Sequence, residues 1–84
     1  MFSSIFEFYK FVNSLIDKLH EAGEASWEAD LRDAMASGFT SGEILGNLRI
    51  KFRQLQKTSR MKSLHLETEV KVALDYLNEV LGRR

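Results

Sequence analysis

Apolar residues recur at helical spacing in four stretches of this chain, and no window alternates in the two-residue rhythm of a strand. The clearest stretch is FTSGEILGNLRIKFRQL, residues 39–55, in which Ile44, Leu45, Leu48, Phe52 and Leu55 form one stripe. Thr40 can cap the start of that helix, and Glu43 lies three residues on, where a capping-box carboxylate reaches back to the first amide. Phe39 and Ile44 have the spacing of a hydrophobic staple. A helix is therefore predicted from about Ser41 to Lys57. Upstream, Ser4 and Glu7 make a second capping box before a helix running to about Ala22. Its stripe is Ile5, Phe8, Val12, Leu15, Ile16 and Leu19, with Tyr9 at the edge and Gly23 as its stop. A short helix from about Glu24 to Ser37 presents Trp27, Leu31, Ala34 and Met35. Thr58 to Ser63 reads as a loop, and a last helix runs from about Leu64 to Leu81. Leu66, Val70, Ala73, Leu74, Leu77 and Leu81 line it, widened by Tyr76 and Val80, which suits packing against two neighbours.

These elements make an all-α domain of four helices, or five, spanning residues 1–84 as a bundle or an orthogonal array. The shortness of the second helix favours the less regular form. Three features depart from simple amphipathicity. Phe6 and Phe11 point about 130° and 90° away from the centre of the first stripe. Neighbours wrapping that helix from two sides would bury both; left open, they would be anchors for a partner. Gly42 and Gly46 lie inside the third helix, where each costs roughly 1 kcal/mol against alanine. Glycines four apart admit the close approach of another helix of the chain, or of a partner's backbone. Ile50 lies off the stripe among basic residues.

Composition then narrows the setting. Of 84 residues, 44% are hydrophobic and 29% charged, an ordinary globular balance. A chain this short has a thin core and marginal stability. Cysteine is absent, which removes thiol nucleophiles and cysteine zinc sites and suits a reducing compartment. Proline is absent too, in keeping with mostly helical structure. No basic region precedes the first apolar run, and no run approaches the ~18 apolar residues of a spanning helix. The expectation is a cytoplasmic protein with no membrane partner.

The net charge of zero hides an asymmetry. Residues 1–47 carry three Lys or Arg against eight Asp or Glu, and residues 48–84 carry nine against four. Such halves can attract each other across the fold or steer a charged partner. The acidic residues Asp17, Glu21, Glu24, Glu28, Asp30 and Asp33 gather around the first helix–helix corner. With Phe6 and Phe11 they are the candidate partner-binding residues: carboxylates to steer, an aromatic to anchor.

Enzyme and metal chemistry find no footing. His20 and His65 have no partner at metal-ligand spacing, and the five glycines match no phosphate-binding loop. Carboxylates on a solvated helix lack the burial that would separate their pKa values. Asp30, Asp33 and Glu24 are not set in a calcium-type loop. The expectation is therefore no catalytic residue, no cofactor and no metal. Nucleic-acid binding is the alternative reading, resting on Arg49, Arg53 and Lys57 down one side of the third helix. A sequence pI near 6.7 and the acidic second helix disfavour it.

One segment bears a resemblance. SWEADLRDAMASGFTSGEILGNLR, residues 26–49, resembles small all-helical bacterial proteins with W-x-x-x-L-x-x-A followed by T-S-G-E-I-L-G-x-L-R. These are immunity proteins encoded beside toxins of contact-dependent growth inhibition and related polymorphic toxin systems. The matching residues are structural: Trp27, Leu31 and Ala34 face a core, while Thr40, Glu43 and Gly46 are cap and packing positions. The resemblance carries over no functional residue. It implies a chain that binds and neutralises one cognate toxin domain. A monomer or weak dimer is expected. Where the toxin is a nuclease, its basic substrate cleft is complementary to an acidic patch.

Overall fold

The computed structural model describes residues 2–82. Five helices follow one another: α1 (Ile5–Glu21), α2 (Ala25–Ala36), α3 (Ser41–Gln56), α4 (Arg60–Ser63) and α5 (Glu67–Leu81). Among the described residues there is no strand. The four longer helices close a ring: α1 packs on α2, α2 on α3, α3 on α5 and α5 back on α1. Both α1 and α3 run antiparallel to α5. Phe8 near the start of α1 stacks on Tyr76 near the end of α5 at 4.5 Å, and Arg49 of α3 reaches Gly82 beyond α5.

The apolar stripes fill the centre. Phe8, Val12, Leu15, Ile16 and Leu19 meet Leu31 and Ala34 from α2, Leu45, Leu48, Phe52 and Leu55 from α3, and Val70, Ala73, Leu74 and Leu77 from α5. The Cα radius of gyration is 11.9 Å, the value of about 12 Å expected of a folded single body of this length. Val80, expected to widen the last stripe, is 48% exposed. At about 100° per residue it falls beyond the arc that the two neighbouring helices cover.

Caps set two of the helix starts as the sequence implies. The Ser4 hydroxyl accepts from the Glu7 amide, and the Thr40 hydroxyl from the Glu43 amide, both at 3.2 Å. The return halves of the capping boxes differ. The Glu7 carboxylate accepts from the Ser3 hydroxyl, and that of Glu43 from the Thr40 hydroxyl at 3.3 Å. The hydrophobic staple does not form, for Phe39 is 99% exposed. Backbone takes its place: a Cβ built on Gly38 would lie 2.9 Å from the Ile44 amide nitrogen and Cγ1 and from Glu43 Cβ.

The stretch expected to be a loop, Thr58–Ser63, contains α4, which is tethered by the buried side chain of Met61. α4 ends in a Schellman motif. The Leu66 amide donates to the Met61 carbonyl at 2.8 Å and the His65 amide to that of Lys62 at 3.1 Å, with Met61 and Leu66 both buried. α1 ends identically, with Glu24 donating to Leu19 and Gly23 to His20. Glycine fills the left-handed position in the first motif (φ 76°); in the second it is His65, at φ 58°. Leu64 to Leu66 therefore form a turn, and α5 starts at Glu67 rather than Leu64.

Candidate functional site

The acidic corner is not one open patch. Glu28 sits on the flank of α2 that faces the end of α1. There His20 Nδ1 donates to its carboxylate at 2.9 Å, and Arg32 approaches from the next turn at 3.1 Å. Glu24, before α2, is ion-paired with Arg60 of α4. Arg60 belongs to the cationic second half of the chain, so attraction between the halves accounts for part of the charge asymmetry. Asp30 and Asp33 lie about 160° and 140° around α2 from Glu28, on its other flank.

Asp17 and Glu21 remain. They are one turn apart on the outer face of α1, and both are exposed. Among the described residues nothing hydrogen-bonds or ion-pairs with the carboxylates of Asp17, Glu21, Asp30 or Asp33. Phe6 shares that outer face, about 16 Å along the helix from Asp17, and is 71% exposed. Phe11 does not. It is half-buried, edge-on to Phe2 at 5.1 Å, within a cluster that includes Phe8 and Tyr76. The two off-stripe aromatics thus part: the bundle covers Phe11 and leaves Phe6 open.

Beside Glu21 the antiparallel pairing of α1 with α5 opens a cleft of about 480 Å³. Lys18, Glu21 and Ala22 line one wall, and Leu64, His65, Leu66 and Glu69 the other. Glu69 and the two leucines enter the site only through this pairing, and no local motif marks them. Its lining combines the apolar side chains of Ala22, Leu64 and Leu66 with the carboxylates of Glu21 and Glu69, and with Lys18 and His65. A long cationic side chain is compatible with that mixture, its methylenes with the apolar residues and its charge with the two carboxylates. Among the described residues no three of His, Asp and Glu are grouped closely enough to hold a metal ion.

The basic side of α3 is partly occupied. Arg49 Nη1 donates to the Gly82 carbonyl at 2.6 Å, tying down the end of α5. Arg53 is not free either.

Glu28 carries a charge perturbation with a readable consequence. The hydrogen bond from His20 holds its carboxyl below the ordinary value; partial burial opposes this, and Arg32 adds to the lowering. A depressed carboxylate pKa contributes stability above the unfolded-state value, lost as pH falls through the folded one. Glu28→Gln should therefore melt below the parent protein at neutral pH. The difference should vanish in strong acid, as a pH series of thermal melts will show.

Compared with known protein families, curated proteins and solved structures, the chain matches none. Among the described residues no helix is long and apolar enough to cross a membrane.

Proposed function

We propose that this chain is a non-catalytic binding module, an immunity protein that meets a cationic partner on the outer face of α1 and blocks it. The observation that carries this reading is the placement of Asp17 and Glu21, exposed and without partners, beside the α1–α5 cleft. Unpaired carboxylates accelerate the encounter with a basic surface. The cleft seats one of its Lys or Arg side chains, and Phe6 supplies apolar contact further along the same helix. A nuclease toxin domain fits this chemistry, because its substrate cleft is built to receive phosphates. The site of action is the cytoplasm of the cell that makes the toxin. The nucleic-acid alternative is weakened by the engagement of Arg49 with the Gly82 carbonyl, and Arg53 is not free either.

The test is co-expression with the polypeptide encoded next to this chain's reading frame. The parent protein should protect growth and co-purify with that polypeptide. The combination Asp17→Asn, Glu21→Gln and Glu69→Gln should lower affinity at least tenfold and abolish protection, while thermal melts remain near the parent's. Full protection by the neutralised variant would refute the reading.

A further inference from the structure

The turn between α4 and α5 holds a side chain where the backbone favours none. His65 stands at φ 58°, and among the described residues it is the only residue other than glycine with a positive φ. The matching turn after α1 uses Gly23 at this position. A Cβ there crowds the backbone, a cost that glycine avoids. Burial does not offset it, because His65 is exposed. What the residue adds is an imidazole on the wall of the α1–α5 cleft. The other charged groups lining that cleft are Lys18 and Glu21 from α1 and Glu69 from α5. A backbone outlier at a cleft is a pointer to function.

We propose that His65 makes partner binding at this cleft pH-sensitive: the neutral imidazole admits a cationic side chain, and the imidazolium repels it. The switch presupposes the partner's Lys or Arg side chain in the cleft, as proposed for the immunity protein. With the imidazole neutral, the carboxylates of Glu21 and Glu69 outnumber the Lys18 ammonium by one charge. Protonation of His65 cancels that excess, and the cleft no longer favours a cation over a neutral group. Histidine is the side chain whose charge changes between about pH 5 and 8, so the switch falls in that range. The remaining charged groups around the turn do not line this cleft. Lys62 of α4, with Glu67 and Lys71 of α5, lines a second cleft of about 330 Å³. Arg60 of α4 pairs with Glu24 ahead of α2. His20, the other histidine, is bonded to Glu28 on the α2 side of α1. The direction follows from charge: affinity is highest with the imidazole neutral and falls as pH drops.

Calorimetric titration with the polypeptide encoded beside this chain's reading frame, at about pH 7.5 and about pH 5.5, tests the switch. His65→Asn cannot take up the proton, and asparagine adopts the left-handed conformation readily, so this variant should melt no lower than the parent. His65→Gly places in the turn the residue that the α1 turn uses. Between the two pH values the parent's affinity should fall at least fivefold further than that of either variant. Comparison within one partner cancels the partner's own titration and that of His20, which both variants keep. A parent whose affinity falls no further than the variants' overturns the pH switch and leaves the immunity reading standing. Absence of binding at both pH values overturns both.

Discussion

Replacing Phe8 by alanine is expected to cost about 3–5 kcal/mol, the range for a fully buried aromatic. Phe8 has no exposed surface, and it stacks on Tyr76 at 4.5 Å and meets Phe2 edge-on at 5.3 Å. Losing it leaves a void where α1 and α5 join, and it withdraws support from Phe2 and, through Phe2, from Phe11. A domain of this size has total stability on the order of 5–10 kcal/mol, so the variant should be near the edge of folding at room temperature. Phe6→Ala, on the outer face of the same helix, should shift the urea midpoint little. A Phe6→Ala protein as unstable as Phe8→Ala would show that the orientation of α1 is misassigned.

Alanine at Gly38 is expected to destabilise by about 1–3 kcal/mol, the range for overpacking. The added Cβ would lie 2.9 Å from the Ile44 amide nitrogen, a backbone atom fixed in the first turn of α3. The turn between α2 and α3 would have to open, and with it the α2–α3 packing. Gly46→Ala should act in the opposite direction, stabilising by roughly 1 kcal/mol, because the site is open and alanine is the better helix former. Urea titrations of the two variants side by side will show the opposite signs. Equal signs would mean that the turn at Gly38 is not as tight as described.

The pattern of apolar positions reveals α1, α3 and α5 because each turns a long stripe to one core, and Ser4 and Thr40 mark two of the starts. It hides α4, which has four residues and one buried side chain, too few to establish a period. It also misplaces the start of α5, because the left-handed turn residue there is His65 and not the glycine that would have signalled it. The site is less legible still. Composition shows that the first half is acidic. Only the fold shows that Arg60 and His20 take up Glu24 and Glu28, that Asp30 and Asp33 face elsewhere, and that Glu69 joins Glu21 across a cleft. Those contacts span helices, and helix periodicity holds no information about them.

The sharpest test of partner recognition through α1 is the association rate constant for the polypeptide encoded beside this chain, measured at low and high salt. For the parent protein the rate should fall steeply as salt screens the encounter. For Asp17→Asn with Glu21→Gln it should already be at least tenfold lower in low salt and respond only weakly to added salt. Equal rates for the two proteins at low salt would contradict the account.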